Sequence, residues 1–91
     1  MTNQKFTKLV SLMELEMGFI RIPSEYKILF PNKKSRIEIC FDKNEKKFSL
    51  FTYDPKHQRI YGLTNFLQKA KEQDVLEIRK LDKSNFFISI K

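Results

Sequence analysis

Apolar and polar residues alternate with a period of two through the middle of the chain. Because successive side chains of a strand point to opposite faces, this pattern predicts two strands with one buried face. The polar residues 43–46 between the two runs predict the turn of a hairpin. The positions expected on the buried face are every second residue of each run: Ile37, Ile39 and Phe41, then Phe48, Leu50 and Thr52.

The first third of the chain carries a mixed pattern. Residues 6–17 fit both helical spacing and alternation, and we predict a strand followed by a loop. Residues 19–22 predict a short strand that ends at Pro23, which cannot donate to a strand ladder. Ser24 is a candidate N-cap for a helix of about two turns over residues 25–30, which ends at Pro31. That helix places Tyr26, Leu29 and Phe30 on one face.

The last third predicts a second short helix and two further strands. Leu63, Phe66, Leu67 and Ala70 are spaced as on one face of a helix. Residues 75–78 and 86–90 predict strands, and residues 81–84 predict the turn between them. The order is strand, strand, helix, two strands, strand, helix, two strands. We therefore expect a mainly β fold of the α+β class, with seven strands in an open barrel or curled sheet and a short helix at each end.

Length and composition limit the classes of function. A chain of 91 residues forms one domain, residues 1–91, with one modest core. Its 18 Lys and Arg against 11 Asp and Glu give a net charge of +7, which favours a polyanionic partner such as nucleic acid or an anionic membrane. Without a spanning segment or a signal-peptide core, we expect an intracellular, cytoplasmic protein that has no membrane partner.

The sequence lacks the motifs that support catalysis or cofactor binding. Cys40 is the one cysteine and His57 the one histidine, which leaves no metal-ligand spacing. Gly18 and Gly62 stand alone, so there is no glycine-rich phosphate loop. We expect a binding module with no catalytic residues, no metal and no cofactor.

The segment 53–59 carries the most informative chemistry, and we define it as the hairpin tip. It connects a strand-like run to Ile60 and Tyr61, and its groups can bind phosphates and base edges. Arg and Gln have the paired geometry that base recognition requires, although any exposed turn also collects polar residues. The candidate residues are Tyr53, Lys56, His57, Gln58 and Arg59.

Four segments in one order resemble a known DNA-binding domain. They are residues 6–9, residues 20–23 leading into the helix that ends at Pro31, residues 62–67, and residues 74–78. Together they resemble the pseudobarrel known in plant transcription factors as the B-three domain, which is also the recognition domain of some bacterial restriction endonucleases. The resemblance implies an open barrel of seven strands with two short helices, which grips the major groove of double-stranded DNA with two arms.

The resemblance places the arms at residues 13–21 and 52–59, and the second arm coincides with the hairpin tip. It implies contacts from Arg21 and Thr52 besides the tip residues. Glu14 and Glu16 in the first arm would repel phosphates unless one accepts from a cytosine amino group or both turn away. In the basic connector 32–36, Lys33 and Lys34 are candidates for phosphate contacts, the alternative being a solvated loop.

The chain departs from the plant members in having no tryptophan, with Phe48 and Leu63 in the regions where they carry one. Its bias toward Lys, Phe, Ile and Asn fits an AT-rich bacterial genome, so we expect the restriction-modification branch, with further domains or subunits as partners. The alternative is a small barrel that binds RNA, a single strand or a protein, using Phe51, Tyr53 and Tyr61 as exposed stacking platforms.

Overall fold

A computed structural model describes residues 4–41 and 47–91, and its dominant element is one seven-stranded sheet. The sheet is mainly antiparallel and curls into a half-barrel, which confirms the predicted fold class. The predicted turn at residues 43–46 lies outside the described residues. The strands are β1 (Lys5–Leu9), β2 (Ile20–Arg21), β3 (Ser35–Cys40), β4 (Phe48–Asp54), β5 (Arg59–Tyr61), β6 (Val75–Asp82) and β7 (Asn85–Ile90).

The order of strands across the sheet is β1-β6-β7-β3-β4-β5-β2. Neighbours are antiparallel except β3 and β7, which run parallel through the pairs Glu38 with Asn85, Ile39 with Phe86, and Cys40 with Phe87. The two edges of the sheet are therefore β1 and β2, and we call the gap between these edge strands the seam.

Three short helices accompany the sheet in the described ranges: α1 (Leu12–Met17), a 3-10 helix (Ser24–Leu29) and α2 (Thr64–Leu67). The loop predicted to follow the first strand is wrong, because Ser11 and Glu14 form a capping box that begins α1 there. The predicted cap at Ser24 is also wrong. Pro23 precedes the 3-10 helix without a side-chain cap, and Ser24 is its first residue. In these described parts of the chain, no helix is long and apolar enough to cross a membrane.

The core lies inside the curl of the sheet, and aromatic stacking fills its centre. The Phe30 ring stacks on Tyr53 at 4.8 Å between centroids and on Phe86 at 4.5 Å. The 3-10 helix thus contributes the face that the sequence predicted, with Leu29 and Phe30 buried and Tyr26 packed against the core.

The predicted core face of β4 is wrong. Ile37 pairs with Phe51, and paired residues of antiparallel strands share a face. By register Ser49, Phe51 and Tyr53 therefore share the inward face, on which Ser49 is exposed and Tyr53 is buried, while Phe48 and Leu50 lie exposed on the outward face. Both alternating sets of β4 contain apolar residues, so the pattern within this strand could not identify the inward one.

Helix α2 is shorter than predicted, but its predicted face is confirmed, since Leu63 and Leu67 belong to the core and Phe66 and Ala70 pack against it. Leu63 and Leu67 are fully buried, whereas Phe66 is half-buried and stacks on Phe41 with 4.5 Å between centroids. The helix ends at Leu67, and residues 68–74 continue as turns into β6.

A buried carboxylate spans the seam. The Glu14 side chain is almost fully buried and accepts from three donors: the Lys8 ammonium of β1, the Ser11 backbone N–H at 2.8 Å, and the Arg21 backbone N–H of β2 at 2.6 Å. Burial lowers the pKa of Lys8 below its usual value, although the hydrogen bond to Glu14 opposes that shift. Glu14 therefore ties both edge strands to α1.

Gly18 sets the path from α1 into β2. It adopts a left-handed conformation with φ of 76°, and its N–H caps the helix by donating to the Glu14 carbonyl at 2.9 Å. Its own carbonyl accepts from Leu63 N–H at 2.9 Å, which brings α2 against it. A Cβ at Gly18 would overlap the Thr64 hydroxyl, so Thr64 would have to shift to accommodate any other residue.

We expect Gly18→Ala to destabilise the fold by about 1–3 kcal/mol more than Gly62→Ala, because overlap with Thr64 adds to the backbone strain. Gly62 is the matched control: its φ is also positive, at 87°, but a Cβ there would meet only ordinary contact with Phe51. Urea unfolding of both variants measures the difference. Equal losses would show that the Gly18–Thr64 contact yields without strain.

Glu14→Gln should destabilise the protein by about 3 kcal/mol, because it leaves the largely buried Lys8 ammonium without its counter-charge. Glu16→Gln, on the exposed side of the same helix, is the control and should change stability by less than about 0.5 kcal/mol. A double variant that adds Lys8→Met should recover part of the loss in urea unfolding. If Glu14→Gln matches Glu16→Gln, the carboxylate does not hold the seam.

Candidate nucleic-acid interface

Within the hairpin tip, residues 55–58 form a four-residue loop between β4 and β5, closed by the pair Asp54 and Arg59. The Asp54 carboxylate organises this loop by accepting from Lys56 N–H at 3.0 Å and by contacting His57 Nδ1 at 2.9 Å. The hydrogen bond to His57 holds the pKa of Asp54 below its usual value. The tip therefore keeps its one carboxylate engaged with its own donors while Lys56 and His57 remain exposed.

Gln58 fastens the tip to the neighbouring part of the chain. It has a φ of 56°, a left-handed conformation that ends the turn and starts β5. Its carbonyl accepts from Ile22 N–H at 2.7 Å, and its side-chain Oε1 accepts from Ser24 Oγ at 3.1 Å. The tip is thereby held against the start of the 3-10 helix, and the Gln58 side chain is turned toward that helix.

Strand register groups three of the chain's four arginines on the outward side of four adjacent strands, β3, β4, β5 and β2. Arg21 on β2 pairs with Arg59 on β5, and Arg36 on β3 pairs with Thr52 on β4. Thr52 also pairs with Tyr61, which lies on β5 two residues from Arg59 and on the same face. The Arg21–Arg59 pair and the Arg36–Thr52 pair are therefore neighbours on one face of four adjacent strands. Their neighbours on these strands, among them Ile20, Ile37 and Ile60, are fully buried on the opposite face. We call this outward surface the arginine face: Arg21, Arg36, Thr52, Arg59 and Tyr61.

The Arg59 guanidinium rests on an aromatic support. Its Cζ lies 4.3 Å from the centroid of the Phe19 ring, a cation–π contact. The ring is buried and meets Tyr61 edge-on, with 6.2 Å between centroids. Within residues 4–41 and 47–91, no ion pair joins Arg59 to a carboxylate, and its buried Nε has no hydrogen-bond acceptor. The guanidinium is positioned by packing, and the carboxylate of its strand partner Asp54 is engaged with Lys56 N–H and His57 instead.

Lys33 and Lys34 lie at the same end of the sheet as the hairpin tip. Ser35 at the start of β3 pairs with Tyr53 near the end of β4, so the residues before Ser35 extend in the direction of the tip. Both lysines are exposed, and the Lys33 carbonyl accepts from Ser35 Oγ at 2.8 Å. The predicted candidates Lys33, Lys34, Lys56 and His57 thus flank the arginine face at one end.

Tyr53 is the predicted site residue that the structure removes from the surface. Only 1% of it is exposed, and its ring stacks on Phe30 in the core. Burial also raises the pKa of its phenol. The predicted exposure of this ring is wrong, so it offers no platform on which a base could stack. Phe51 and Tyr61 are half-buried.

The first predicted arm, residues 13–21, has two kinds of surface. Glu14 turns inward to the seam, whereas Glu16 stays exposed. Met13 and Met17 are exposed apolar side chains, with 59% and 67% of their surface accessible. Arg21 is the one cation of this segment, and it lies on the arginine face.

Two basic residues of this region were not identified from the sequence. Arg36 was placed only in a basic connector, although it alternates with the core residues Ile37 and Ile39 and could have been assigned to the outward face. Lys8 could not have been found in this way. It shares the inward parity of Phe6 on β1, and only the packing of Glu14 brings its ammonium to the seam.

Comparisons with known proteins identified no relative of this chain. The chain matches no protein-family model, and a search of the curated proteins found no match.

Proposed function

We propose that this protein is a sequence-specific double-stranded DNA-binding domain whose contact surface is the arginine face together with the hairpin tip. The observation that carries the proposal is the strand register that places Arg21 beside Arg59, and Arg36 two strands from Arg59, on one outward surface. Clustered Arg on one face of a domain with a net charge of +7 is the electrostatic pattern of a nucleic-acid partner.

Arg59 is the residue we assign to base recognition. A guanidinium can donate two parallel hydrogen bonds to O6 and N7 of guanine, which no point charge can do. Packing on Phe19 holds the Arg59 side chain in place before binding, which lowers the entropy lost when it contacts a base. Thr52 lies one row away and can accept from or donate to a neighbouring base edge.

The lysines suit the phosphates instead. Lys33, Lys34 and Lys56 are exposed ammonium groups around the tip, and such groups position a protein on the backbone without identifying a base. A hairpin is a two-stranded ribbon, and the major groove of B-DNA, about 12 Å wide, admits such a ribbon. Entry of the tip into the major groove would place lysines near both flanking backbones.

The resemblance to the B-three pseudobarrel supports a role in target recognition by a bacterial restriction-modification system in the cytoplasm. In that role the domain is not itself an enzyme: cleavage would be carried out by another domain or subunit, and this domain would supply only the site preference.

Binding to the preferred duplex should depend strongly on salt. If four to six of the cations named above contact phosphates, the logarithm of the association constant should fall against the logarithm of salt concentration with a slope of about −4 to −5. Fluorescence anisotropy with a labelled duplex and its matched single strand, at four salt concentrations, measures this slope. Preference for the single strand, or a slope near zero, would contradict duplex recognition.

Substitutions at Arg59 and at Lys56 should weaken DNA binding in different ways. Arg59→Lys keeps the charge but loses the fork, so it should weaken the preferred site by about 1–3 kcal/mol and leave a scrambled duplex nearly unchanged. Lys56→Ala should weaken both duplexes equally and reduce the salt slope by about one. Anisotropy titrations of each variant against both duplexes test this. Equal losses for Arg59→Lys on both duplexes would show that Arg59 does not select a base.

A further inference from the structure

A small basic cleft lies beside the arginine face at the seam. It encloses about 270 Å³ and is lined by Lys8, Arg21, Ile22, Pro23, Ser24 and Gln58. These residues come from β1, from β2 and the turn after it, and from the hairpin tip, so the cleft lies where Glu14 connects the two edge strands. Its composition is two cations, one amide, one hydroxyl and an apolar floor.

The donors in the cleft are only partly used by the protein itself. The Arg21 backbone N–H donates to Glu14, but its exposed guanidinium has no carboxylate partner in residues 4–41 and 47–91. Gln58 accepts a hydrogen bond from Ser24 through Oε1. The two N–H bonds of its Nε2 take no part in that hydrogen bond. The Lys8 ammonium has three N–H bonds, of which Glu14 needs one.

The charges in the cleft do not cancel. Glu14 compensates the Lys8 ammonium, and the positive charge of the Arg21 guanidinium remains. Burial lowers the pKa of Lys8, and the nearby positive charge of Arg21 lowers it further. An anion between the two cations would relieve this repulsion. A tetrahedral oxyanion matches the site because it can accept from several donors at once.

We propose that this cleft binds a phosphate group, and that in the DNA complex it holds one backbone phosphate next to the base pair contacted by Arg59. The DNA part of this inference rests on the proposed function, whereas the phosphate site itself does not. Gln58 is then a phosphate ligand, and the base contact of the tip belongs to Arg59 alone. Lys8 and Ser24 join the binding surface as residues that no sequence pattern indicated.

The register explains why one phosphate would be clamped beside one base contact. Arg21 and Arg59 are paired residues of adjacent strands, and Gln58 directly precedes Arg59. A phosphate held by Arg21 and Gln58 fixes the distance from the backbone to the Arg59 side chain. The cleft would therefore set the depth at which the tip enters the groove.

The first experiment tests the cleft without DNA. Inorganic phosphate is titrated into the protein at constant ionic strength, with chloride as the reference anion, and backbone amide resonances are followed by NMR. We expect saturable shifts at Arg21, Ser24 and Gln58, and an affinity about tenfold weaker in Arg21→Gln. Lys69→Gln is the control, because it removes one exposed charge beside α2 and should leave these shifts unchanged. Shifts that do not saturate, or that respond equally to both variants, overturn the phosphate site.

The second experiment uses duplexes in which one phosphate at a time is replaced by an uncharged methylphosphonate. Wild-type protein should lose about ten- to hundredfold in affinity at one position, and Arg21→Gln should be insensitive at that same position. Gln58→Ala should reduce the wild-type sensitivity there, which keeps the test valid if Arg21→Gln folds poorly. If both variants keep the wild-type profile, the clamp is wrong while DNA binding stands.

The two experiments separate this inference from the proposed function. Saturable binding of inorganic phosphate by a protein that binds no duplex would support the cleft and overturn the DNA-binding proposal. Duplex binding with a salt slope of the expected size, together with an unresponsive cleft, would do the opposite.

Discussion

The fold and the candidate interface both depend on a single buried carboxylate at the seam. An open sheet leaves two edge strands with unpaired backbone groups, which favour aggregation unless they are covered or connected. Here Glu14 accepts from the Lys8 side chain of one edge strand and from the Arg21 backbone of the other. Burying a charge is unfavourable without such partners. The positions of these two donors and of the third, the Ser11 backbone N–H, are therefore constrained together. Arg21 is consequently presented from a fixed backbone rather than from a free edge.

The hairpin tip is held by the same region of the fold. Ile22 and Ser24, which follow β2 directly, both donate to Gln58. Hydrogen bonds therefore connect the seam to β2 through Arg21, and the residues after β2 to the tip through Gln58. Loops that recognise partners are often mobile and lose conformational freedom on binding. A tip supported from its side and stabilised internally by Asp54 has less freedom to lose.

The sequence predicted most of the strands because alternation is a local property, and the positions of Ile37, Ile39, Ile78 and Ile88 in the core follow from it. Some of the errors arose where the deciding interaction was not local. Both alternating sets of β4 contain apolar residues, so only its register with β3 selects Phe51 and Tyr53. Ser11 and Glu14 did carry a local signal for α1, since their spacing is that of a capping box, but alternation of the three residues Met13, Leu15 and Met17 obscured it. Arg36 could have been assigned to the outward face from its alternation with Ile37 and Ile39. Lys8 could be identified only from the tertiary packing of Glu14.

The parallel pairing of β3 with β7 has a consequence for the biosynthesis of this protein. The group β3-β4-β5-β2 and the pair β1-β6 are joined in the sheet through β7, which is the last strand along the chain. During translation, the two groups cannot be assembled into one sheet until residues 85–90 have left the ribosome. Because three of the six strand pairings, β1 with β6, β3 with β7 and β2 with β5, join distant parts of the chain, folding is expected to be slower than for a protein built only of hairpins. The nascent chain would meanwhile expose apolar strand surfaces, and chaperones would encounter those surfaces before any partner does.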